Sequence, residues 1–157
     1  MGMGTMITLQ LESFVDAYDE FLPLLELHWS EIARDKENIK LNVDVDGYRR
    51  LEELGILHVA TARDEGCLIG YMISFVSPNL HYKDWLMANN DVLFIHPDHR
   101  GNGTFVRLLR FVEQDLRNMG VVNLYIHMKL AHDFGALLEK FGYYEIERVH
   151  EKKLIKE

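Results

Sequence analysis

The chain has 157 residues, 48% apolar and 11% aromatic, which fits one globular domain with a sizeable core and excludes disorder. Its single cysteine, Cys67, excludes a disulfide-stapled fold and fits a reducing, cytoplasmic setting. Seventeen Lys and Arg against 25 Asp and Glu give a net charge of -8, which opposes non-specific binding to nucleic acid. The acids are concentrated early. Residues 1–60 hold 12 acids and 5 bases, whereas residues 61–157 hold 13 and 12, so the first part either suits a cationic or amine-bearing partner or simply keeps the protein soluble. No apolar run approaches the roughly 18 residues that cross a bilayer. The opening MGMGTMITLQ has neither a basic stretch nor a continuous apolar one, so neither a secretory signal nor membrane attachment is expected. Gly2 lacks the Ser or Thr that myristoylation favours at position 6, where Met6 stands. No repeat or linker interrupts residues 1–157, which are expected to form a single domain.

Residues 6–12 alternate as a half-buried strand does. Ser13 with Asp16 suggests a helix start, and Phe14, Tyr18, Phe21, Leu22 and Leu25 recur at helical spacing, with Pro23 expected to kink that helix or begin a second segment. Residues 30–43 are weakly patterned and predict a loop. A short helix is expected from Asp44 to Leu54, stopped by Gly55. Strands follow at 56–62 and 68–76 around a turn at Gly66, then a loop at 77–88 and a buried strand at 91–96 closed by Pro97. Helical spacing from Gly103 to Met119, an apolar strand at 121–128, a short helix at 134–141 and an alternating closing strand at 143–154 complete the chain. The order β-α-α-β-β-β-α-β-α-β predicts an α/β fold, a mixed sheet with helices on both faces.

The most informative stretch is residues 91–116, where a strand enters a loop with Arg100, Gly101 and Gly103 and a helix leaves at once. The first amides of a helix lack partners and carry partial positive charge. Glycines let such a backbone approach an anion closely, and Arg100 adds a full charge, an arrangement suited to a pyrophosphate; the plain alternative is a strand–turn–helix connection with the same glycines. A Walker loop needs Gly-Lys-Ser/Thr, but the residues are Gly103-Thr104-Phe105. A dinucleotide fingerprint needs a glycine where Val106 stands.

With Ile95-His96-Pro97 ahead of Arg100-Gly101-Asn102-Gly103-Thr104-Phe105, the segment resembles the signature of GNAT N-acyltransferases, Arg/Gln-x-x-Gly-x-Gly/Ala. Phe105 departs from its final small residue. Residues 136–154 are similar to the family's late helix and last strand. His28-Trp29, His81-Tyr82 and Lys129 to His132 resemble members carried by bacteriophages and prophages. The resemblance implies a mostly antiparallel sheet and transfer of an acetyl group from acetyl-CoA to a primary amine by direct attack. It implies that the backbone of Gly101, Asn102, Gly103, Thr104 and Phe105, with Arg100, holds the pyrophosphate. Phe94, Ile95 and His96 would pair with the pantetheine arm between strands 91–96 and 121–128, with His132 also near CoA.

Asp91, four residues before Ile95 and expected on the same strand face, is the candidate base; the plain alternative is a solvent-facing aspartate at a strand start. Members with a tyrosine acid carry it where Leu138 stands, which leaves water, His127, His132 or Tyr144 to protonate the thiolate. His28, Trp29, His81 and Tyr82, with Trp85, are candidates for an acceptor wall, or for ordinary loop packing. His96-x-x-His99 has metal spacing without a third ligand, and no metal is expected. The expected partner is an amine on a small molecule or a protein, with a homodimer as an assembly to test. Two other readings stand beside the enzyme: a GNAT-fold protein that binds CoA without turnover, and an interaction module.

Overall fold

A computed structural model describes residues 6–155; Gly2 lies outside the described residues. The chain forms two compact units that divide between His127 and Met128. The first carries β1 (Ile7–Leu11), α1 (Tyr18–Ile32), α2 (Val45–Glu53), β2 (Leu57–Asp64), β3 (Cys67–Pro78), β4 (Leu86–Ile95), α3 (Thr104–Asn118) and β5 (Asn123–Tyr125). The second carries a short 3-10 turn, Leu130–His132, and α4 (Gly135–Glu139). Among the described residues no helix is long and apolar enough to cross a membrane.

The five strands lie in chain order in one sheet, antiparallel except for the parallel pair β4–β5. The β2–β3 hairpin closes with Asp64 opposite Cys67. Its two turn residues, Glu65 (φ +48°) and Gly66 (φ +87°), both take the left-handed conformation that matches the strand twist. On one face of the sheet, Phe14, Phe21 and Leu25 pack on Val59, Tyr71, Ile73 and Phe94. On the other face lies α3, whose Leu108, Leu109, Val112 and Leu116 recur at helical spacing and are buried. Buried His58 of β2 meets Asp115 of α3 at 2.7 Å across that interface. A mixed sheet flanked by helices is therefore the architecture.

Several boundaries move. The Ser13 hydroxyl accepts the Asp16 amide at 3.2 Å, but it caps a turn, and the helix begins at Tyr18. Pro23 lies inside a continuous α1. Packing of the Phe21, Leu25 and His28 stripe outweighs one missing amide donor. The expected loop at 77–88 shrinks to residues 79–85, because Ser77 pairs with Met87 and Pro78 with Leu86. Backbone ladders, rather than apolar content, extend both strands there, which is why Asn89 and Asn90 are admitted. The strand expected at 121–128 forms a ladder only at residues 123–125. No strand forms at 143–154. Alternation gives that stretch a face but does not supply a neighbouring strand, and Tyr144, Ile146, Val149 and Leu154 are exposed.

Candidate active site

The site begins with a fault in the sheet. Ile73 pairs with Val92 and Ser74 with Asn90, so Asp91 is the extra residue of a β-bulge. Buried Asn90 fills the fault, and its amide donates to Ile73 O and Val92 O at 3.1 Å each. The bulge changes which face β4 presents. Before it, Met87 and Asn89 lie opposite Ser77 and Phe75 and share their face; after it, Val92 and Phe94 lie opposite Ile73 and Tyr71. Those four β3 residues share the α1/α2 face, so Met87, Asn89, Val92 and Phe94 do as well. Asp91 joins them, since the Tyr48 hydroxyl of α2 donates to its Oδ2 at 2.7 Å.

Ile95 lies on the other face. Its Cδ1 sits 2.5 Å from where a Cβ on Gly70 would be, beside Phe94 O at 2.9 Å. The expectation that Asp91 and Ile95 share a face is corrected, because one inserted residue breaks the alternation on which it relied.

The bulge coincides with the end of pairing to β5. Met87, Ala88 and Asn89 pair with Asn123, Leu124 and Tyr125, and the ladder goes no further. From Asn90 to Ile95, β4 has no strand partner on its outer side among the described residues. The His96 amide turns inward and donates to Ile69 O at 2.7 Å. By alternation Phe94 also bonds to β3, and the amides of Leu93 and Ile95 point to the open edge. Of the three residues expected to pair with a pantetheine arm, only Ile95 offers its backbone there.

That edge runs into the loop. The 3-10 turn Pro97–His99 is capped by His96, whose Nδ1 accepts the Asp98 amide at 3.1 Å. Gly101 (φ +82°) and Gly103 (φ +84°) hold left-handed conformations with nothing within 4 Å of an added Cβ. A side chain at either position would meet backbone strain rather than a clash. Asn102 Oδ1 accepts the Thr104 hydroxyl at 2.6 Å and the Thr104 amide at 3.2 Å, which fixes the start of α3. Phe105, where the motif has a small residue, is half-buried.

Arg100 is not a loose cation. Its Nε donates to Ile95 O at 2.8 Å, its Nη2 meets Glu31 Oε2 at 2.9 Å, and its guanidinium lies 5.3 Å from the Phe94 ring centre. It ties the end of β4 to α1, and Glu31 already balances its charge.

The Tyr48 ring stacks on Phe14 at 4.1 Å. Burial, then the Asp91 carboxylate, raises the Tyr48 phenol well above the usual tyrosine range, so it stays a donor to Asp91. Tyr71 is likewise raised, by burial first and then by the nearby Tyr48, Asp91 and Glu31.

The proposed acceptor wall separates into pieces. His28 is buried, shares a 3.1 Å hydrogen bond with the Tyr71 hydroxyl, and stacks on Phe94 at 4.9 Å. Trp29 is half-buried, with the Lys36 ammonium 6.0 Å from its ring centre. His81 and Tyr82 lie in the exposed 79–85 loop, their ring centres 6.5 Å apart. Tyr82 joins Asn79, Trp85, Met87 and Tyr125 around an open cleft of about 310 Å³. In the second unit His132 is exposed with its ring 6.3 Å from that of Phe134, Tyr144 is exposed, and Leu138 is buried. Tyr82 and Trp85 of the cleft were among the expected wall residues, whereas Tyr48, Glu31, Met87 and Tyr125 had no signal as site residues, because each gains its place from a partner at least 38 residues away. Among the described residues no group of three or more His, Cys, Asp or Glu side chains gathers around a common centre.

A bulged strand that parts from its parallel neighbour and runs into a glycine loop at a helix N-terminus is the core of the site. The chain belongs to the Acetyltransferase (GNAT) family, whose model matches residues 12–143. Its fold is similar to that of the ribosomal-protein-alanine N-acetyltransferase of Brucella melitensis biovar Abortus 2308, at TM-score 0.72 and 18% identity over 96% of this chain and 100% of that one. It is also similar to an aminoglycoside acetyltransferase from an uncultured soil metagenomic sample, solved with trehalose, at TM-score 0.75 and 14% identity over 96% and 97%. A predicted acetyltransferase from Clostridium acetobutylicum, solved with acetyl-CoA, matches at TM-score 0.68 and 15% identity over 95% and 97%. A search of curated protein sequences gave no significant match.

Proposed function

We propose that the protein is an acetyl-CoA-dependent N-acetyltransferase acting on a primary amine of a small molecule or a protein. The observation that carries this reading is the outer edge of β4, which among the described residues has no strand partner from the Asp91 bulge down to the glycine loop. Acetyl-CoA, when bound, supplies an activated thioester: the amine nitrogen forms the new C–N bond, the C–S bond breaks, and the sulfur leaves as thiolate. The amine loses one proton and the thiolate takes up one, so the exchange balances.

The chain's residues fit these needs. The amides of Gly101, Asn102 and Gly103 suit a pyrophosphate, the Thr104 amide being taken by Asn102 Oδ1, and the outward amides of Leu93 and Ile95 suit the amide-bearing arm and the thioester carbonyl. Asp91 is the candidate to receive the amine proton, with Tyr48 fixing one of its oxygens and leaving the other for the acceptor. Water is the candidate to protonate the thiolate. A cytoplasmic setting and the phage-type resemblance of His28-Trp29, His81-Tyr82 and Lys129 to His132 complete this reading.

A second reading is CoA binding without turnover, favoured by Phe105 in place of a small residue and by the buried Leu138 where an acid tyrosine would stand. Calorimetric titration with acetyl-CoA is the test. Micromolar affinity, about -8 kcal/mol, is expected, weakened roughly tenfold by Gly103→Val, whose side chain strains a left-handed backbone by about 1–2 kcal/mol. Gly103→Val is a cleaner probe than Arg100→Glu, which would also set two acids together at Glu31. No binding by the folded protein would leave an interaction module; binding without thiol release with any amine would leave the non-catalytic reading.

A further inference from the structure

The open cleft shares the sheet face of Asp91. Met87 and Asn89 precede Asp91 on β4 and face the same way, and Tyr125 is the ladder partner of Asn89. Two residues along a strand span roughly 7 Å, so the cleft begins about that far from the carboxylate and ends near twice that distance.

The lining has a definite chemistry. Trp85, Tyr82 and Tyr125 contribute rings and Met87 a thioether, with no charged side chain among the lining residues. Most of the polar atoms are turned on one another. The Trp85 indole N–H donates to Asn123 Oδ1 at 2.6 Å, and the His81 amide donates to Asn79 Oδ1 at 2.8 Å. Asn79 Nδ2 and the Tyr125 hydroxyl both point to Met87 Sδ, at 3.6 and 3.7 Å. The bond to Asn123 holds the indole across the β4–β5 ladder before any ligand arrives, although Trp85 remains 47% exposed. A ligand therefore meets ring faces and sulfur. Hydroxyl groups entering there would find few partners beside the exposed Tyr82 hydroxyl, whereas an apolar body would gain.

We infer that this cleft is the acceptor subsite, and that it takes primary amines carrying an apolar, ring-sized body, with the ammonium end directed to Asp91. The inference rests on the amine-acceptor reading above and narrows it to a substrate class.

The test is calorimetry on the full chain with 4-phenylbutylamine and with glucosamine, a polyhydroxylated amine, followed by thiol release from acetyl-CoA with each. 4-Phenylbutylamine is expected to bind at least tenfold more tightly than glucosamine. Trp85→Ala should abolish that advantage, and Trp85→Phe, which keeps a ring, should restore most of it. Equal affinities, no binding of 4-phenylbutylamine, or an advantage that survives Trp85→Ala in a folded protein would overturn the cleft assignment. Ring-dependent binding without thiol release would sustain the cleft and overturn the transferase reading. Thiol release with glucosamine that ignores both Trp85 variants would do the reverse.

Discussion

The two halves of β4 are one strand with two environments. From Met87 to Asn89 it is paired on both sides, to β3 and to β5. From Asn90 to Ile95 it keeps β3 and has no strand partner on the other side among the described residues. The first half builds a wall, fixing Trp85 and Tyr125 around the cleft. The second half offers outward backbone amides, which an interior strand cannot spare. The change falls at Asp91, the one extra residue, and it teaches that an edge without a strand partner can open along a strand that stays in its sheet.

Three perturbations break or sharpen this contrast. The largest effect is expected from Asp91→Asn, which removes the candidate base at the junction. Turnover should fall roughly 10²–10⁴-fold with acetyl-CoA affinity unchanged, measured by thiol release beside calorimetry. Unchanged turnover would remove Asp91 from the chemistry and leave it a bulge residue held by Tyr48. Asn90→Ala attacks the bulge itself, leaving the Ile73 and Val92 carbonyls without the amide they share. A loss of about 1–3 kcal/mol is expected in denaturant unfolding. A loss within a few tenths would mean that the bulge stands without its polar filling.

The smallest effect tests the fully paired side of the sheet. Buried Arg63 of β2 binds Glu12 bidentately, through Nε and Nη2 at 2.9 Å each, and meets Glu20 of α1 at 2.6 Å. Burial pushes the Glu12 carboxyl up, but the hydrogen bonds from Arg63 and Thr61 outweigh it and hold Glu12 below its ordinary 4.5. The Arg63 hydrogen bond lowers Glu20 likewise. Groups with depressed values stabilise the fold above the unfolded value and lose that contribution as pH falls through the folded one. Stability should therefore drop below about pH 4.5 by on the order of 1 kcal/mol, with half-exposed Glu20 contributing little of it. Arg63→Met should flatten this acid limb in thermal melts, whereas the amine and CoA titrations near neutral pH should not move.

How much was legible in the sequence varied with the range of the interaction involved. The helix at 45–53 was readable because Asp44 caps it and Gly55 follows it, all within a few residues. The hairpin at Gly66 was readable for the same reason. Alternation at 143–154 was misleading, since a strand needs a neighbour that no local pattern supplies. His28 looked like a polar residue available for a ligand. Its burial against Tyr71 and Phe94 depends on which face of α1 meets the sheet.

The sequence by itself determined the strand–glycine loop–helix unit and the family resemblance, because short-range sterics and helix-end electrostatics act on adjacent residues. Tertiary structure alone decided that Asp91 bulges onto the α1/α2 face, that Glu31 binds Arg100, and that residues 79–87 meet Tyr125 in a cleft. Each of these depends on register and contact between segments far apart in the chain, and a one-residue shift in pairing is enough to reverse the face a side chain presents.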